Sequence, residues 1–125
     1  MRKTVQWIKH KGRDIMLVDF SGIRDETEYL GAFDEMEAEV LAQPPGRMML
    51  TLTDVTDTTM TPAITERSKR MVAAAREAGI PDSPTAMVGL TGFQKAVVQA
   101  MQFFRDDLYV ASDIEAAKDW LVEQV

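Results

Sequence analysis

Polar and apolar positions alternate over Thr4–His10, with Val5, Trp7 and Lys9 directed one way and Gln6, Ile8 and His10 the other. A period of two is the mark of a β-strand. Lys11-Gly12-Arg13 is a short turn, and Asp14–Phe20 follows as a second strand whose centre, Ile15-Met16-Leu17-Val18, is apolar throughout. So short a turn makes the pair an antiparallel hairpin, and the second strand reads as central, buried on both faces. The period then lengthens. Tyr29, Phe33, Met36 and Val40 recur at helical spacing, with Leu30 and Leu41 beside them. Asp25 with Glu28 three residues on is a capping box in its Asp form, so a helix runs from Asp25 to about Leu41, where Pro44-Pro45-Gly46 stops it.

The remaining chain repeats the alternation of strand and helix. Met48–Thr53 is a third strand, mostly apolar, and Asp54–Thr61 is a Thr-rich loop. Thr61-Pro62 is an N-cap with Pro at the first helical position, opening a helix that buries Ile64, Met71, Val72 and Ala75 and ends at Gly79. Thr85–Val88 is a fourth strand, and Gly89-Leu90-Thr91-Gly92 leads into a helix with the stripe Phe93, Val97, Ala100, Met101 and Phe104. After a turn at Arg105-Asp106-Asp107, Leu108–Val110 is a fifth strand. Ser112 with Glu115 is a second capping box, and Asp113–Gln124 is the closing helix, with Ile114, Ala117 and Leu121 inward. The expected order is β-β-α-β-α-β-α-β-α, a single α/β domain over 1–125 with a mostly parallel five-stranded sheet and an antiparallel first strand. Each connection after the hairpin has the length of a parallel crossover, which is right-handed.

Composition removes function classes rather than choosing one. The 125 residues contain no cysteine, which excludes a disulfide scaffold, thiol catalysis and cysteine-based zinc sites. No apolar run approaches the ~18 residues of a membrane span. The start of the chain has no apolar core of a secretory signal, which with the absent cysteine favours the cytoplasm. The net charge of −6 disfavours nucleic acid as a partner. The one histidine, His10, stands on a strand with no companion for a metal or a triad. No metal, no cofactor and no catalytic constellation is expected, and the protein reads as non-enzymatic.

Charge is segregated. Residues 25–41 carry seven acids and no base, whereas the helix opening at Pro62 carries Arg67, Lys69, Arg70 and Arg76. The two are solvated faces first, and an acid–base contrast that suits a protein partner, a second copy of the chain included. Most of the nine methionines fall on core faces, where they fill gaps.

Topology says where a site would sit. Ligands of open α/β sheets gather at the carboxyl ends of the parallel strands. The loops there hold Ser21, Gly22, Asp54, Asp57, Thr58, Thr59, Met60, Gly89, Thr91 and Gly92, with Lys95 just beyond. This loop face is the expected surface for a protein partner, or for a small amphipathic ligand or an anion. Gly89-x-x-Gly92 before a helix presents backbone N–H groups, but its spacing is not that of a phosphate-binding P-loop.

Four segments carry a family resemblance: Ile15-Met16-Leu17-Val18-Asp19-Phe20-Ser21-Gly22, Leu50-Thr51-Leu52-Thr53-Asp54-Val55-Thr56, Ala86-Met87-Val88-Gly89-Leu90-Thr91-Gly92 with Lys95, and Ile114-Glu115-Ala116-Ala117-Lys118-Asp119-Trp120-Leu121. In this order the chain resembles the STAS domains, the fold of anti-sigma-factor antagonists, and more closely the bacterial STAS-like proteins grouped with CRAL-TRIO lipid-transfer domains. The resemblance implies a β-α superhelix behind a leading strand, and a regulatory or interaction role. It also implies a phospho-switch, since such antagonists are phosphorylated on a Ser in a D-S-[SG]-G-type turn after the third strand. Asp57-Thr58-Thr59-Met60 occupies that loop here, making Thr58 the candidate phosphosite, with Thr for Ser and Met60 for the Gly. The lipid-transfer side implies an apolar ligand. A chain this short is expected to use most of its apolar residues on its own core and to lack room for a large cavity, leaving space for a small amphipathic molecule or an acyl chain.

Overall fold

The computed structural model describes residues 4–44, 46, 48–59, 61–81, 83–101 and 107–124. Its elements follow the expected order: β1 (Val5–His10), β2 (Arg13–Asp19), α1 (Glu26–Leu41), β3 (Thr51–Asp54), α2 (Pro62–Glu77), β4 (Thr85–Val88), α3 (Gly92–Met101), β5 (Leu108–Val110) and α4 (Ile114–Glu123). The strands lie in the sheet in chain order, β1 to β5. β1 pairs antiparallel with β2, and every later pairing is parallel.

The hairpin closes through Lys11 and Gly12 alone, both at positive φ (50° and 81°). Two left-handed residues form the mirror-image turn whose twist matches that of the strands it joins. Gly12 adopts its conformation freely and Lys11 does so at some strain.

Alternation along β2 divides the core in two. Met16 and Val18 point to one face of the sheet, and Ile15 and Leu17 to the other. The first face is covered by α1, α2 and α3 through Tyr29, Phe33, Met36, Ile64, Met71 and Val98. The second is covered by α4 alone, whose Ala117 and Leu121 are fully buried against Leu52, Ala86 and Val88. Tyr109 and Trp120 stack at its rim with ring centroids 5.0 Å apart. β2 is thus buried on both sides, as its unbroken apolar run requires.

Three local expectations are corrected. β3 begins at Thr51 rather than Met48, because Met49 gives its N–H to the Ser83 hydroxyl (3.0 Å) and pairing with β4 starts at Thr51↔Thr85. α4 is capped by Asp113, whose carboxylate accepts the Ala116 N–H at 2.8 Å, and not by Ser112. As N-cap, Asp113 thereby satisfies the last N–H of the first turn that has no intrahelical partner. Leu41 is 42% exposed, since the helix ends there and its last turn overhangs the core. The side chains of Phe93, Val97, Ala100 and Met101, and residues 104–106, lie outside the described residues.

Arg67 is the unexpected core residue. It is only 8% exposed and lies between α1 and α2, where its guanidinium donates to Asp34 (2.9 Å) and Glu37 (3.2 Å). The acid–base contrast between these helices, read in the sequence as a surface for a partner, is in this part an internal clamp. The fork of Arg suits two carboxylates at once, and both pairings hold its pKa above the ordinary arginine value against the effect of burial. Arg67→Ala is expected to lower unfolding stability by about 2 kcal/mol, because the exposed Asp34 left behind returns to water. Arg67→Lys should recover less than half of the loss, as read by urea denaturation.

Candidate functional site

The loops at the carboxyl ends of β2, β3 and β4 converge as topology requires, and they are stitched together. Asp19 and Asp54 end neighbouring strands and do the same job. Each carboxylate accepts two hydrogen bonds from the residue two positions on: Asp19 from the Ser21 N–H and hydroxyl (3.0 and 2.5 Å), Asp54 from the Thr56 N–H and hydroxyl (2.9 and 2.6 Å). These are Asx-type turns, a local alternative to regular structure that short polar side chains favour. The two turns are joined by the Phe20 N–H on the Asp54 carbonyl (2.9 Å) and the Gly22 N–H on the Thr56 carbonyl (2.8 Å).

Gly89 locks the third loop to these two. Its φ is +86°, and a Cβ built there would lie 2.2 Å from the Thr56 hydroxyl and 2.6 Å from the Thr56 Cα. The glycine is therefore required twice, for its backbone conformation and for the approach of Thr56. Gly92 begins α3 at φ +53° with open space around it, and Thr91 and Lys95 are exposed beside it. No second feature at this helix start points to an anion.

Asp57 also sits at positive φ (59°) and forms an ion pair with Arg24 across the loop. Thr59 is exposed, and Met60 lies outside the described residues. Thr58 is half-buried. Its hydroxyl donates to the Val55 carbonyl at 2.8 Å and is hydrogen-bonded to the Tyr29 side chain. Tyr29 itself is 1% exposed. Burial pushes its phenol up to about 12, partly offset by the Thr58 contact. The candidate phosphosite is thus already an anchor for a buried tyrosine.

The structure adds a cavity that the sequence reading did not place. About 570 Å³ of space lies between the sheet and its three-helix cover. Its floor is Thr51, Thr53 and Met87, one wall is Tyr29, Phe33, Met36 and Val40 of α1, and the far side is Val98 and Leu108. The flank of α2 turned away from α1 contributes Thr65, Ser68, Lys69, Val72 and Ala75. Val72 and Ala75, expected in the core, are only half-buried because they border this space. Four methionines, Met36, Met49, Met71 and Met87, line it. Flexible thioethers fill irregular gaps and also adapt to a bound molecule. The space is of the small-molecule size that the sequence left room for, but its place was not expected. The cavity lies between the sheet and the helices rather than on the loop face, and among the described loop residues Phe20, Val55 and Leu90 border it. The signal for it was present in the polar Thr51 and Thr53 of a central strand and in the methionine content.

Several other ionisable residues have structural partners. His10 Nε2 lies 2.8 Å from Asp119 of α4, and the Lys11 ammonium is 3.1 Å from the same carboxylate. These two partners hold Asp119 below the usual carboxylate range. Trp7 donates to Glu39 at 2.6 Å. No group of three or more His, Cys, Asp or Glu suited to a metal exists among the described residues.

Two expectations follow. Gly89→Ala forces Thr56 aside and strains the backbone, so it should destabilise by ~3 kcal/mol in chemical denaturation. Tyr29 gives a pH dependence at the alkaline end. Its folded pKa is raised, so the contribution is whole below pH 10, where both states are protonated. It falls by ~1.4 kcal/mol per pH unit as the pH rises from 10 to about 12, because the unfolded phenol ionises first. An absorbance titration should show a tyrosinate step delayed to about 12 that disappears in Tyr29→Phe.

No family model matches the sequence, and no curated protein does. Similarity is found among solved structures. One is the crystal structure of an uncharacterised protein of the DUF3478 family from Shewanella loihica PV-4, described as having a SpoIIAA-like fold. It is 13% identical to this chain, with a TM-score of 0.66 over 94% of this chain and 91% of that one. Identity that low carries the architecture and nothing finer. The hairpin, the parallel strands in chain order and the helices on two faces are the SpoIIAA-like fold, the STAS fold of anti-sigma-factor antagonists.

Proposed function

We propose that the chain is a non-enzymatic regulatory module that binds a small, largely apolar molecule between its sheet and its three-helix cover. The observation that carries this reading is the cavity of about 570 Å³. That volume lies within the ~300–1,000 Å³ of small-molecule sites, and its mixture of apolar walls and few polar groups is their usual chemistry. The position of α2 supplies the opening: its buried edge is clamped to α1, and its free edge borders the space.

The loop face serves this reading as the surface that meets a protein partner in the cytoplasm, either another protein or a second copy of the chain. Its turns are hydrogen-bonded within themselves, so a partner would find a preformed surface and little ordering cost. Tyr29 connects the two regions, since it lines the cavity and its hydroxyl meets Thr58 in the loop.

The test uses 1-anilinonaphthalene-8-sulfonate as the probe. Saturable binding to the folded protein at one site is expected, with blue-shifted emission. Ala75→Phe, which fills the free edge of α2, should weaken binding at least ten-fold while near-ultraviolet circular dichroism stays native. Binding that is undiminished in the folded variant removes the cavity as the site.

A further inference from the structure

Building on the ligand-binding reading above, we infer that the molecule held in the cavity carries an uncharged oxygen function, a carbonyl or hydroxyl, seated on Thr51 and Thr53. The two threonines belong to the central strand, on the face that meets α1 and α2, while Leu52 between them points to the α4 side. They are 8% and 7% exposed, and both line the cavity. Neither hydroxyl forms a hydrogen bond among the described residues. No side-chain oxygen among those residues is both sealed from solvent and without a partner, and both threonines border the cavity.

The neighbours make the contrast. Ser83 donates to the Pro81 carbonyl and accepts the Met49 N–H, and Thr85 donates to the Ser83 carbonyl. Those hydroxyls have structural work, whereas those of Thr51 and Thr53 have no hydrogen-bond partner among the described residues. Along the ladder they are flanked by Met16 and Val18 on one side and by Thr85 and Met87 on the other. Valine fits a central strand at both places as well as threonine does and avoids burying a hydroxyl. Two residues apart on one strand face, the hydroxyls stand about 7 Å from each other and offer their protons in the same direction.

Charge decides which oxygen they take. Lys69 is the sole Lys, Arg, His, Asp or Glu among the described lining residues, and its side chain is 70% exposed. An ionised head buried at the floor would have no counter-charge among the described residues there, and its desolvation would exceed what two hydroxyls return. A neutral acceptor loses far less on leaving water and gains one or two hydrogen bonds. The floor thus selects an oxygenated apolar molecule over a hydrocarbon or an anion of the same shape.

The experiment compares 2-acetylnaphthalene with 2-isopropylnaphthalene, which have nearly the same shape and differ by a carbonyl. Dissociation constants are measured on the wild-type chain and on the Thr51→Val/Thr53→Val variant. The ratio of the two constants within each protein cancels the intrinsic hydrophobicity of the probes. The variant is expected to melt at the same or a higher temperature, and to shift that ratio ~3- to 10-fold against the ketone. An unchanged ratio with both probes bound overturns the oxygen assignment and leaves the ligand-binding reading standing. Failure of both probes to bind the wild-type chain overturns the two together. Tighter binding of 2-naphthoate than of the ketone moves the polar end of the ligand to Lys69 and likewise overturns the assignment.

Discussion

The Arg67 clamp sets the geometry from which the rest follows. A guanidinium buried between two helices and gripping Asp34 and Glu37 fixes where α2 lies on the sheet. Helices pack about 8–10 Å apart when side chains alone decide. Here two ion pairs draw α2 toward α1, and α3 is placed by its packing on β5 instead. The width left between α2 and α3 is the cavity. The same arginine that would be an ordinary surface cation on an isolated helix decides how much of the sheet the helices leave uncovered.

The architecture was legible in the sequence because it is written in short-range patterns. The period of two at Thr4–His10, the continuous apolar run of β2, the helical stripe of α1 and the Thr61-Pro62 start of α2 each specify their element locally, and all four agree with the structure. The misplaced features depend on contacts between distant residues. Ser112 and Asp113 are equivalent as caps until the helix axis is known. Arg67 reads as solvent-facing because its partners are 30 and 33 residues away. The loop residues were correctly gathered by topology, but that Asp19 and Asp54 each satisfy their own turn needs coordinates. The cavity was least legible. A core position and a cavity wall carry the same residue types, and Val72 and Ala75 differ from true core residues only in what stands opposite them.

The two faces of the sheet are built to different tolerances. On the α4 side, small residues let the helix approach closely: Ala117 meets a surface of Leu52, Ala86 and Val88, and nothing intervenes. Interiors packed in this way resist compression. On the other side, long thioethers and aromatic rings span a gap that rotamer changes can widen or narrow. One sheet therefore presents a stiff back and an adjustable front.

The contact of Gly89 with Thr56 bears on how such a change would reach the surface. Thr56 is held by Asp54, its carbonyl holds Gly22, and its backbone rests on the one residue of the β4–α3 connection that has no side chain. A displacement of any one of these three segments therefore has to break one of these hydrogen bonds or carry its neighbour with it.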